Sequence, residues 1–143
     1  MRVGVYVDAE NVRYNGGYQM RYDVLRRFAA REGGVIQRLN TYLAFDLERA
    51  KEDQEYAKKS RAYQQMVRDF GWKITVKYVR RYTDENGNVT TKANADLDMA
   101  VAAMLQAGKL DQVLLVTGDG DFLQVVSALQ NTGCRVELIG FRN

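Results

Sequence analysis

The sequence predicts an α/β fold: a mostly parallel five-stranded sheet in the order 3-2-1-4-5, helices on both faces, and a small β-hairpin arm. Three observations carry this. Short β-rich apolar runs alternate with stretches of helical spacing in the order β-α-β-α-β-(arm)-α-β-α-β, the pattern of a parallel sheet covered on both sides. Right-handed crossovers then favour a doubly wound sheet whose first and fourth strands are neighbours. The 143 residues, 46% of them apolar, suffice for one core, so a single domain over 1–143 is expected.

The elements follow in order. "VGVYV" (Val3–Val7) is a strand that ends at Asp8. "NGGYQ" (Asn15–Gln19) is a loop. Tyr22–Glu32 carries Val24, Leu25, Phe28 and Ala29 at helical spacing, and Gly33-Gly34 stops it. "VIQRLNTYLAF" (Val35–Phe45) is the second strand. Glu48–Phe70 reads as one long helix, with Tyr56, Tyr63, Met66, Val67 and Phe70 as its apolar stripe and a solvated charged face opposite. "WKITVKYV" (Trp72–Val79) is the third strand, with Trp72 and Tyr78 expected on the core face beside Ile74 and Val76. Asn86-Gly87 is a hairpin-turn signal, so an arm is expected over Arg80–Thr91. Asp96–Ala107 is a helix with a stripe of Leu97, Ala100, Val101, Met104 and Leu105, stopped by Gly108. Gln112–Thr117 is the fourth strand, Phe122–Asn131 the last helix, and "CRVELIG" (Cys134–Gly140) the fifth strand.

Composition narrows the chemistry. There is no histidine and one cysteine. Ser-His-Asp and Cys-His catalysis are therefore excluded, as are His/Cys zinc sites. Cys134 cannot form an intrachain disulfide and reads as core packing in a reducing cytoplasm. No run approaches about 18 apolar residues, so no membrane span is expected. The N-terminus enters a strand directly and has no secretory-signal pattern. The net charge of +3 permits nucleic-acid binding without requiring it.

The chemistry-bearing feature is a set of acids. Asp8 ends the first strand, and "TGDGD" places Asp119 and Asp121 just beyond the fourth. Both strand ends open into the switch-point crevice, where sheets of this kind bind ligands. Asp96 opens the helix that leads into the fourth strand, and that helix end faces the same edge of the sheet. Clustered carboxylates repel and raise one another's pKa, a cost that a bound Mg²⁺ or Mn²⁺ removes. Gly118 and Gly120 allow a sharp turn beside a ligand. Asn11 is either a local cap or a group that orients a metal-bound water or a phosphate. Asp96 and Asp98 are about 200° apart on a helix, so Asp96 is the expected ligand and Asp98 an outer group or a partner of the helix dipole. Arg80, Arg81 and Tyr82, at the end of a basic and aromatic strip from Trp72 through Lys73, Lys77 and Tyr78, are candidate contacts to phosphates and unpaired bases.

Three segments, "YVDAEN" (Tyr6–Asn11), "KANADLDMA" (Lys92–Ala100) and "LLVTGDGDFLQVVSALQNTGCRVELIG" (Leu114–Gly140), resemble the NYN domain family in its LabA-like branch. That family lies in the PIN-like nuclease superfamily. The resemblance implies a Rossmann-like PIN-type fold and a metal-dependent ribonuclease that hydrolyses RNA phosphodiesters, with single-stranded RNA as partner. On it, Asp8, Asp96, Asp119 and Asp121 match the acidic positions, Asn11 and Thr117 the supporting polar groups, and Lys92 a basic residue ahead of the middle acid. The chain ends at "GFRN", where the family pattern would carry a further helix. A haloacid-dehalogenase-like phosphatase also has a late acidic loop, but it requires an Asp-x-Asp pair, and Asp8-x-Glu10 does not supply one. The alternative of another class is a non-catalytic regulatory module that binds RNA or a protein. A homodimer is compatible with the sequence and is not specified by it.

Overall fold

The structure, a computed structural model, describes residues 1–9, 21–92, 96–117 and 122–140; the side chains of residues 90–92 and 96 fall outside that description. The elements are β1 (Arg2–Asp8), α1 (Tyr22–Ala29), β2 (Val35–Phe45), α2 (Leu47–Glu52), α3 (Gln54–Asp69), β3 (Lys73–Tyr78), β4 (Arg80–Thr83), β5 (Val89–Lys92), α4 (Asp96–Gln106), β6 (Gln112–Val116), α5 (Leu123–Asn131) and β7 (Arg135–Ile139). Short 3₁₀ turns follow α1 at Arg31–Gly33 and α4 at Ala107–Lys109.

The main sheet has the order β3-β2-β1-β6-β7 and is parallel throughout. Setting aside the arm strands β4 and β5, this is the expected 3-2-1-4-5 arrangement. β1 and β6 lie side by side at the centre, Val3 opposite Gln112 and Val7 opposite Val116. Both are buried on both faces, which is why they read as unbroken apolar runs rather than alternating ones.

Strand alternation splits the core into two layers. Val3, Val5, Val7, Leu114 and Val116 face α1 and α3, packing with Tyr22, Leu25, Val67 and Trp72. Tyr6, Val113 and Leu115 face α4 and α5, packing with Met99, Ala103, Phe122 and Leu129. Gly4 belongs to this second face, and a Cβ there would sit 2.6 Å from the Leu110 side chain and 3.1 Å from the Tyr6 ring. The close approach of the 107–110 turn to β1 therefore favours glycine, since any side chain there would displace the end of Leu110.

Four expectations are corrected. The first helix is shorter than Tyr22–Glu32: it ends at Ala29, and Glu32 and Gly33 both adopt positive φ (59° and 77°), which breaks the helical course before Gly34. The long helix is two helices. Asp53 has extended backbone, and its side chain accepts a hydrogen bond from the Tyr56 amide at 3.1 Å, so it caps α3 instead of continuing α2. Asp53→Ala should lower stability by about 1 kcal/mol in thermal or urea melts, whereas a continuous helix would be strengthened by alanine. Tyr78 is exposed at the end of β3, although Trp72 is in the core as expected.

The fourth correction concerns α4. Of the predicted stripe only Ala100 packs against the core: Leu97 is 73% exposed, Val101 45%, Met104 49% and Leu105 81%, while Met99 and Ala103 are at 0%. "LDMAVAAMLQA" is apolar nearly all round, so helical periodicity admits more than one phase. Packing chooses the narrow face of Met99, Ala103 and Ala107, because small residues let the helix lie close over Tyr6 and Leu115. A hydrogen bond from the Tyr6 hydroxyl to Gln106 Oε1 holds that phase.

Candidate functional site at the carboxyl edge of the sheet

β1 carries one ionisable residue at its end, Asp8, and it is 4% exposed. Alternation puts Asp8 on the Tyr6 face, the side covered by α4. Its register partner on β2 is Tyr42. The β6 chain continues through Thr117, which is buried and donates its amide to the Ile139 carbonyl at 3.2 Å. Because Val7 is opposite Val116, Asp8 and Thr117 occupy the next level of two adjacent strands and share the Tyr6/Leu115 face.

α4 runs antiparallel to these strands. Its far end turns back beside the start of β1, where the Asp111 amide bonds the Arg2 carbonyl at 2.8 Å. Its first residue, Asp96, therefore lies at the opposite edge, where β1 ends in Asp8. The topology thus brings the Asp8, Thr117 and Asp96 positions to one edge of one face. Asp98, two residues on, points toward β3 and pairs with Lys77 Nζ at 2.8 Å. This pair ties the first turn of α4 to the sheet.

Tyr42 was not singled out in the sequence. It is buried beside the Asp8 position, and burial first, then the Asp98 carboxylate, pushes its phenol above the ordinary value. Strand pairing is its only signal, since nothing within "NTYLAF" distinguishes it. Asp46, at the end of β2, was also passed over. Its side chain caps α2 by accepting from the Arg49 amide at 3.1 Å, and it accepts from Arg81 at 2.6 Å. Burial raises its pKa, but the Arg49 amide and then Arg81 outweigh that and hold it below the usual carboxylate range.

Asn11, Asp119 and Asp121 lie outside the described residues, as does the Asp96 side chain. Among the described residues no three His, Cys, Asp or Glu side chains gather as a metal cluster. Asp8 fits one oxygen ligand of a hard cation: it is a buried carboxylate at the switch point of a doubly wound sheet, in a chain without histidine.

The arm is a two-stranded antiparallel ribbon in which Arg80 pairs with Lys92 and Thr83 with Val89. Asp84 Oδ1 accepts from the Asn86 and Asn88 amides, and Gly87 takes a φ of 80°, so the expected Asn-Gly turn closes with glycine in the left-handed position. The ribbon is rooted at β3, two strands or about 10 Å from β1. The candidate contacts behave differently from one another. Arg81 is clamped between Asp46 and Glu48. Arg80 is exposed with no ion pair among the described residues, and Tyr82 is 52% exposed. The Lys92 backbone ends β5, three residues ahead of Asp96 in the sequence being left undescribed.

Among the described residues no helix is long and apolar enough to cross a membrane. The chain is similar to a solved structure of a protein of unknown function from Vibrio parahaemolyticus, with a TM-score of 0.75, 22% identity, and coverage of 97% of this chain and 80% of that one. It is also similar to the low amplitude and bright protein LabA of Synechococcus elongatus, 27% identical over 135 residues, which are 90% of this chain and 68% of LabA. The NYN domain model matches residues 2–143. With Asp8 at the end of β1, the switch-point topology and a family match over nearly the whole chain, this protein belongs to the NYN domain family.

Proposed function

We propose that this NYN domain is a Mg²⁺- or Mn²⁺-dependent ribonuclease that hydrolyses phosphodiester bonds of single-stranded RNA. The observation that supports it is the buried Asp8 carboxylate at the central strand end, on the face and edge where α4 begins. In this reading Asp8, Asp96, Asp119 and Asp121 hold the cation. When bound, the ion supplies Lewis-acid polarisation of the phosphoryl group and acidifies a water. The protein's own groups do the rest. The Thr117 hydroxyl and the Asn11 amide orient the phosphate by hydrogen bonds. Lys92 and Arg80 offset the charge of the RNA backbone, and the exposed Tyr82 ring offers a stacking surface for an unpaired base.

A labelled single-stranded RNA incubated with Mg²⁺, Mn²⁺ or EDTA tests this. Metal-dependent fragments with 5′-phosphate ends are expected, with intact RNA in EDTA. RNA left intact under every metal condition would overturn the nuclease reading. A second reading, a regulatory module without turnover, is favoured by the internal neutralisation of Arg81 and Lys77, which removes two cations from the basic strip.

The two arm arginines separate on the same assay. Arg80→Ala is expected to weaken RNA binding and reduce the slope of log affinity against log salt by about one. Arg81→Ala should leave that slope unchanged, because its charge is already spent on Asp46 and Glu48. Equal loss of slope in both variants would place Arg81 on the RNA as well.

A further inference from the structure

The outward face of α4 has no partner within the described protomer. Leu97, Val101, Met104 and Leu105 recur at helical spacing and project away from the Met99/Ala103 face that packs on the sheet. Together they expose on the order of 400 Å² of apolar surface, the size of patch that marks an interaction site. No charged residue interrupts the stripe.

We propose that this face is the interface of a two-fold homodimer, formed by antiparallel packing of α4 on α4 of a second copy. The stripe is self-complementary about Val101. Leu97 and Leu105 lie four residues to either side of it, so a two-fold axis through Val101 sets Leu97 of one copy against Leu105 of the other. The polarity of the helix selects the antiparallel form. Its first turn is the positive end of its dipole and its last turn the negative end. Antiparallel pairing brings these unlike ends together, whereas parallel pairing would stack like on like. The area fits a weak association. Two such stripes remove about 800–900 Å² from water, which places the contact among weak dimers that form at micromolar concentrations and above. The interface holds α4 from outside, and the first residue of α4 is Asp96, so dimerisation also steadies the edge where the candidate site lies.

The test is sedimentation velocity, with light scattering on a sizing column, from about 1 to 200 µM protein, the range in which an interface of this size assembles. The wild type is expected to shift from protomer to dimer mass across that range. Val101→Glu places a carboxylate against its own copy on the axis and should keep the protein monomeric, with unchanged circular dichroism and melting at low concentration. As a second variant, Val101→Cys should cross-link to a symmetric disulfide dimer under mild oxidation, whereas the wild type should not, because Cys134 is buried. A wild type that stays a protomer at every concentration would overturn the proposal. So would a dimer that persists in folded Val101→Glu, or a Val101→Cys protein that does not cross-link at concentrations where dimer mass is seen.

Discussion

Asp119→Asn is expected to lower metal-dependent RNA cleavage by about 100-fold or more, the scale of losing a metal ligand, while making the metal-free protein more stable. Asp119 and Asp121 flank a single glycine three and five residues beyond Val116, whose neighbour across the sheet is Val7, one residue before Asp8. Without a cation these carboxylates repel. Asparagine keeps the shape and removes one charge, so the melting free energy in EDTA should rise by roughly 0.5–2 kcal/mol, as when a strained functional site is relieved. Stabilisation by added Mg²⁺ should shrink correspondingly, because the ion gains less by binding the folded state. Melts in EDTA and in Mg²⁺, beside the RNA assay, read all three effects. If Asp119 were a loop cap, its loss would cost about 1 kcal/mol in EDTA. A variant that melts earlier, still responds fully to Mg²⁺ and still cuts RNA would remove Asp119 from the site.

The largest stability effect is expected at Met99. It is fully buried between α4 and the sheet, packed with Tyr6, Leu115 and Phe122. Met99→Ala should cost about 2–4 kcal/mol, through lost burial and the cavity left behind. That is a large share of the 5–15 kcal/mol typical of a whole domain. Leu105→Ala, read in dilute solution where protomers are apart, should stay within about 0.5 kcal/mol, because Leu105 is already in water. Urea titrations of the two variants decide the phase of α4. The reverse ranking would mean that the helix packs on its Leu97/Leu105 face.

Asp8 was legible as the acid that ends the apolar run of β1, and it lies at the carboxyl edge of the sheet; Asp119 and Asp121 were read in the same way after the next central strand and lie outside the described residues. The position of Thr117 at the end of β6 was legible from the apolar run before it. The Asp98–Lys77 pair, the Arg81 clamp and Tyr42 were not. Each joins residues 21 to 35 apart in the chain, or, for Tyr42 and Asp8, residues in register across two strands. No local pattern encodes such a meeting. Arg80 and Arg81 are adjacent and chemically identical, yet strand alternation turns one to solvent and the other toward Asp46 and Glu48.

The sequence by itself determined the order of strands, the parallel sheet, the position of the switch point and the hairpin turn. These follow from short-range physics: alternation of β-rich and helical periods, handed crossovers, and glycine at left-handed positions. Only the tertiary structure decided where the long charged helix divides and which side of α4 faces the sheet. At Asp53 a side chain could either continue the helix or cap the next one, and docking of α3 on the Val67/Trp72 layer selected the cap. On α4 several faces were apolar enough to be buried. The choice went to Met99 together with Ala103 and Ala107, whose small side chains allow close approach to Tyr6 and Leu115, and Leu97, Val101, Met104 and Leu105 were left facing outward.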